Sequence, residues 1–160
     1  MIRKALIASV VGSFLLAGTV NSHAVSWTKN DVDIPNKSVD SNYYDADSVK
    51  VLDKTLRWTE KFVLTSFGEK NYTKHLSQYP ACQQNIAKKG NVTHHQLDLE
   101  IKGGKYRTVA KRNYNKADEV ICTDKDMGTE FNKSWIEITY QSPMYFRHYE
   151  LATKYKIGDL

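Results

Sequence analysis

Cysteine and proline are scarce in this chain, with two Cys and three Pro among 160 residues. So few cysteines exclude a disulfide-dense scaffold, and without a C-x-x-C pair there is no compact redox centre or half-site for zinc. So few prolines exclude a Pro-rich linker, and the absence of repeats and low-complexity tracts leaves one domain as the reading of this length. No G-x-S-x-G turn is present to raise a nucleophilic serine. The longest apolar stretch, Ala5 to Ala17, is interrupted by Ser9, Gly12 and Ser13. It falls far short of the ~20 residues that a membrane-spanning helix needs.

That stretch instead has the layout of a secretory signal. Arg3 and Lys4 precede it, and Ser22-His23-Ala24 follows as a small-residue cleavage site. The expected division is therefore a signal peptide over 1–24 and a single domain over 25–160. Thr19 stands where a lipoprotein signal would carry its cysteine, so no lipid anchor is expected, and the protein should be periplasmic or secreted. Cleavage leaves 21 basic residues against 18 acidic, a net charge of +3. Such a mild excess on an exported chain does not select nucleic acid as a partner. In an oxidising compartment Cys82 and Cys122 are expected to pair. The alternative is a reactive thiol pair, for which their wide spacing is unsuited.

Strand patterns dominate the rest. Residues 48–52 form a short strand, and Asp53-Lys54 turns into residues 56–64. There Leu56, Trp58, Phe62 and Leu64 share one face, which Glu60 interrupts, so a bulge, fraying or a rim position is expected. His95, Leu97, Leu99 and Ile101 share a face of the next strand, and Lys102-Gly103-Gly104-Lys105 closes a hairpin, because glycine reaches positive φ at little cost. The return strand runs from Tyr106 to Tyr114. Residues 119–122 and 135–139 read as further strands, and 66–91 as a long loop with a helical turn near Lys74–Gln78. Ser142 and Pro143 then open a helix that Gly158 ends. Arg147, Glu150 and Lys154 form its polar stripe, so its broad aromatic side is expected to pack on the sheet. The fold class is α+β, mostly β: an antiparallel sheet with a C-terminal helix on one face.

Few residues gather into chemistry. His94 and His95 are adjacent on a strand and point to opposite faces, which argues against a shared metal ion. Asp124-Lys125-Asp126-Met127-Gly128 resembles the start of a calcium loop, but its glycine comes one position early and Trp135 stands where a bidentate Glu belongs, so it reads as a turn. No catalytic group, metal site or cofactor is expected. The one candidate site is basic. Lys105, Arg107 and Lys111 are expected to point outward from the return strand, while Tyr106, Thr108 and Ala110 point in. Such a row suits a repeating anionic chain, or else forms a solvated face that discourages edge pairing.

The order of landmarks resembles the surface-adhesin protein E family of exported bacterial proteins. It runs from Trp27 through Tyr44-Asp45-x-x-Ser48-Val49 and Trp58 to Leu97–Ile101, Lys105-Tyr106-Arg107 and Trp135-Ile136 before the Ser-Pro helix. The resemblance spans roughly residues 27–155. It implies a C-terminal helix held on the concave side of an antiparallel sheet with a disulfide. Neither that helix nor the Leu97–Ile101 strand carries a cysteine here. A Cys82–Cys122 bridge would then be a different staple, and the helix would be held by its aromatic side alone. The expected function is that of a non-enzymatic exported binding domain, adhesin-like, for a protein or an acidic glycan. The alternative is a structural or stress-related envelope protein without a host ligand, which a homodimer would suit.

Overall fold

The computed structural model describes residues 25–30, 37–128 and 134–157. The expected signal peptide over 1–24, its expected cleavage at Ala24 and the expected helix stop at Gly158 lie outside the described residues. In chain order the strands are β1 (Trp27–Lys29), β2 (Val39–Asp45), β3 (Lys50–Leu52), β4 (Thr55–Leu64), β5 (His94–Lys102), β6 (Lys105–Tyr114), β7 (Val120–Thr123) and β8 (Ile136–Glu137). The helices are α1 (Ser66–Leu76), α2 (Pro80–Lys89) and α3 (Pro143–Lys154). All strand pairs are antiparallel, in the order β1-β2-β4-β5-β6-β7. Strands β2 and β3 share one edge of β4, and β7 and β8 share one edge of β6.

Tight turns join β3 to β4 and β5 to β6, whereas α1 and α2 connect β4 to β5. Asp53 and Lys54 adopt φ of 50° and 57°, and Gly103 and Gly104 adopt 56° and 71°. Two consecutive positive φ values match the right-handed twist of a two-residue hairpin. Upstream, the Asp45 carboxylate accepts from the Asp47 amide at 3.0 Å, and the Ser48 hydroxyl donates to the Asp45 carbonyl at 2.7 Å. Ser48 Oγ also accepts from the Thr59 amide at 2.8 Å, which ties this 3-10 turn to β4. The D-x-x-S element thus ends β2 and launches β3, as its chemistry suggests.

One face of the central strands β4, β5 and β6 carries the core. Tyr44, Leu56, Trp58, Leu99, Ile101 and Leu151 form a buried cluster beneath α3. A second cluster of Leu64, Leu76, Cys82, Val92, Ile121 and Cys122 sits beneath α1 and α2. Both α1 and α3 lie on this inner face: Leu151 of α3 joins the Trp58 cluster, and Tyr72 of α1 stacks on inward-facing His95 at 5.1 Å.

Residues 66–91 are not a loop. They fold as α1 and α2, joined by a short turn. Thr65 caps α1 by accepting from the Gly68 amide at 3.1 Å, and Pro80 occupies the first turn of α2. Both helices are polar around most of their surface, so the apolar period that announces a helix is faint in them. Gly68 has a steric role: a Cβ there would lie 2.0 Å from the Ser38 carbonyl oxygen. Its absence lets the first turn of α1 touch the chain entering β2.

Three further expectations change. Glu60 causes neither fraying nor a rim; it is 2% exposed and stays in register, opposite Leu97 and Tyr44. Helix α3 turns its polar stripe toward the sheet, with Arg147 3% exposed and Tyr149 68% exposed. The inward Glu60 carboxylate explains the rotation, because a buried charge requires a partner and Arg147 is the cation that supplies it. Finally, β6 bulges. Asp98 faces Ala110 while Leu99 faces Thr108, so Val109 is an extra residue. Tyr106 and Thr108 point in as the alternation requires, but beyond the bulge Ala110 and Lys111 exchange faces.

Candidate binding surface

The bulge divides the basic row. Lys105 and Arg107 remain on the outer face, whereas Lys111 pairs with Leu97 and points inward. There its ammonium donates to the Tyr72 hydroxyl at 2.8 Å and lies 4.5 Å from the ring centre. The two outer cations already have carboxylate partners. Lys105 lies 2.9 Å from Glu137. Arg107 grips Glu100 at 2.7 and 2.6 Å, with its guanidinium 4.5 Å over the Trp135 ring. Arg57 binds the other oxygen of Glu100 at 2.7 Å, and Arg112 binds Asp98 at 2.8 Å. That Asp98 bond holds the Arg112 pKa above its ordinary value. The outer face is thus a lattice of matched charges, and Lys105, Arg107 and Lys111 do not form one site.

Cys82 and Cys122 meet as expected, with Cα atoms 5.1 Å apart in a disulfide between α2 and β7. His94 and His95 do point to opposite faces. His94 stacks on Tyr114 at 5.1 Å and lies 3.0 Å from Asp118. His95 is sandwiched between Phe62 and Tyr72, each 5.1 Å away, and its Nδ1 is buried without a hydrogen-bond partner among the described residues. Burial chiefly, with Lys111 and His94 adding repulsion, pushes its pKa down to about 3. Ser26-Trp27-Thr28-Lys29 has the S-x-x-K spacing of some acyl-transfer enzymes. Along an extended chain, residues three apart point to opposite faces at ~10 Å, so this pair cannot act as a Ser-Lys dyad. Residues 124–128 form a turn, with Asp126 accepting from the Thr123 amide at 2.8 Å. Among the described residues no group of three or more His, Cys, Asp or Glu is placed to hold a metal ion.

The inner face holds a different charged centre. Glu60 Oε1 accepts from Asn30 Nδ2 at 2.8 Å, Asn42 Nδ2 at 3.2 Å, and Arg147 Nε and Nη2 at 3.3 and 3.2 Å. Its other oxygen accepts from Trp58 Nε1 at 3.3 Å. Arg147 also donates to Glu150. Every contact holds a helix or a strand in place, so the cluster is an anchor for α3.

Anchoring this side of α3 exposes the other. Ser142 Oγ accepts from the Tyr145 amide at 3.2 Å and starts the helix. With Arg147 and Leu151 buried, Phe146 and Tyr149 face solvent at 38% and 68% exposure, next to Tyr140 at 70%. Tyr140, Tyr145 and Phe146 pack edge to face at 5.0 and 5.5 Å. Phe146 and Tyr149 form one wall of a groove of about 460 Å³, and Thr28 and Lys29 of β1 form the other. Tyr44, Glu150, Thr153 and Lys154 complete it, with the Lys154 ammonium donating to the Tyr44 hydroxyl. That bond raises the Lys154 pKa, which keeps a cation in the groove. A second depression along α1, about 450 Å³, is lined by polar side chains such as Glu69, Lys70 and Asn91.

Hydrophobicity alone orients α3 with its aromatic side inward, which hides the aromatic groove at the level of sequence. The usable signal was Glu60: an acid on an apolar strand face calls for a cation on the element that covers it, and α3's polar stripe supplies Arg147. No helix among the described residues is long and apolar enough to cross a membrane. The chain matches no family model, no curated protein and no solved structure.

Proposed function

We propose that this is an exported, non-enzymatic binding domain that takes a protein partner on the aromatic side of α3. The resemblance to the surface-adhesin protein E family supports the adhesin-like part of this reading. The observation that carries it is the exposed cluster of Tyr140, Phe146 and Tyr149 beside the groove. Large aromatics are costly to leave in water, and an exposed patch of them marks an interaction surface. The ion pair beneath holds this surface rigid, so little ordering is needed on binding.

An acidic glycan on Lys105 and Arg107 is the second reading. The Glu137 and Glu100 carboxylates that already pair them favour the protein partner. Both readings meet one experiment. The purified protein is used to retain proteins from envelope and host-matrix extracts, and in parallel is run on a heparin column. Replacing Tyr140 and Tyr149 with Ser should abolish retention of the partner and leave heparin elution unchanged. Replacing Lys105, Arg107 and Lys111 with Ser should leave both partner retention and heparin elution unchanged; earlier elution from heparin would favour the glycan reading. Retention indifferent to the tyrosines refutes the proposal. Self-association lost with the tyrosines, without any captured partner, supports a homodimeric envelope role instead.

A further inference from the structure

Strand β1 is one open edge of the sheet among the described residues. The Asn30 amide donates to the Asn42 carbonyl at 3.1 Å, and the Ala46 amide donates to the Ser26 carbonyl at 3.1 Å. Opposed residues in an antiparallel ladder alternate between bonded and unbonded pairs. Asn30, Thr28 and Ser26 therefore bond to β2, and the N–H and C=O of Lys29 point away from it, out of the sheet. Thr28 and Lys29 border the groove, and α3 faces them across it. An unpaired strand edge opposite a helix lets an extended peptide add as one more strand and lower alternate side chains between the two.

The walls define the chemistry of such a peptide. Phe146 and Tyr149 offer ring surface to an apolar or aromatic side chain. Glu150, held by Arg147, also lines the groove and lies within electrostatic reach of Lys154, so Lys29 and Lys154 leave the lining with a net positive charge. A residue two positions along an extended peptide returns to the same face about 6.6 Å away.

We propose that the groove binds an extended segment of a partner protein, paired through its main chain to Lys29. An apolar side chain enters between Phe146 and Tyr149, and a carboxylate two residues away meets Lys154. This rests on the binding-domain reading and names its partner chemistry.

The test is a random-peptide display selection on the purified, disulfide-bonded protein, followed by fluorescence anisotropy with the enriched peptides. The enriched sequences should share an apolar residue and an acid two positions apart. Tyr149→Ala should weaken them at least about tenfold, and Lys154→Gln should remove the preference for the acid. Lys29→Pro removes one outward-facing donor, a change that an edge strand tolerates. It should weaken binding about fivefold, as expected for one lost backbone hydrogen bond, with an unchanged melting temperature. Because Lys29→Pro could disturb folding, methylating alternate amides of the peptide provides a second measurement: one alternation abolishes binding and the other is silent. Failure to enrich any peptide overturns the proposal. So do peptides indifferent to Tyr149 and to amide methylation. If whole-partner retention still depends on Tyr140 and Tyr149 in either case, the binding-domain reading survives and strand addition falls.

Discussion

Arg147→Met keeps most of the arginine stem and deletes the guanidinium. Glu60 is then left with Asn30, Asn42 and Trp58 as donors but without a cation, at 2% exposure. Breaking a buried pair from one side costs about 3–5 kcal/mol, because the surviving charge cannot be re-solvated. A domain of this size loses roughly 3–4 °C of melting temperature per kcal/mol. The single variant should thus melt about 9–20 °C below wild type. In the Glu60→Gln, Arg147→Met double variant the buried pair is gone and Asn30 and Asn42 can still donate to the amide oxygen, so only the Trp58 N–H loses its acceptor. Replacing a buried pair by uncharged groups is close to neutral, so the double variant should recover about half the loss or more. The assay is a double-mutant cycle by thermal and urea unfolding followed by circular dichroism. A loss under about 1 kcal/mol for Arg147→Met, the size of an exposed ion pair, would refute the anchor. A double variant no more stable than Arg147→Met would refute it too.

Three other outcomes are expected. His95 has a pKa of about 3 when folded, below the ~6.5 of an unfolded histidine, so stability present above pH 6.5 drains away as the pH falls toward 3. His95→Phe, which preserves the ring stack, should match wild type near pH 8 and exceed it by about 2–3 kcal/mol at pH 4.5 in urea unfolding; parallel curves at both pH values would refute this. Gly68→Ala places a Cβ against the Ser38 carbonyl and should cost about 1–3 kcal/mol or more, whereas an unchanged urea midpoint would show that α1 shifts freely. A thiol assay on the unfolded, unreduced protein should find no free cysteine, and reduction of the 40-residue loop should cost roughly 4 kcal/mol; two titratable thiols would refute the bridge.

The inner faces of β4 and β5 and the β5-β6 hairpin were legible because alternation and turn chemistry are local signals. Leu56, Trp58, Leu99 and Ile101 announced their face, and Gly103-Gly104 announced the reversal. The α1–α2 pair was not, since Thr65, Gly68 and Pro80 mark its boundaries only to a reader who already suspects helices without an apolar stripe. The bulge at Val109 was invisible for another reason. It is a relation between two strands, set by how Asp98 and Leu99 meet β6, and nothing in residues 105–114 alone records it. One inserted residue sufficed to carry Lys111 to the other face and dissolve the expected basic site.

The same logic explains why two staples of different chemistry hold the inner face. The Cys82–Cys122 bridge secures α2 to β7 at one end. At the other end Arg147 secures α3 to β4 across 87 residues of sequence. Helix α3 carries no cysteine and buries only Leu151 as a fully apolar anchor. A helix held by hydrophobic contact would have turned Phe146 and Tyr149 inward, because burying a ring is worth about 1.5–3 kcal/mol. An ion pair is directional, and once Arg147 meets Glu60 the aromatic rings on the remaining arc must face out. The exposed rings beside β1 are therefore a consequence of how α3 is fastened. The buried acid on β4 and the proposed peptide groove are two sides of one helix orientation.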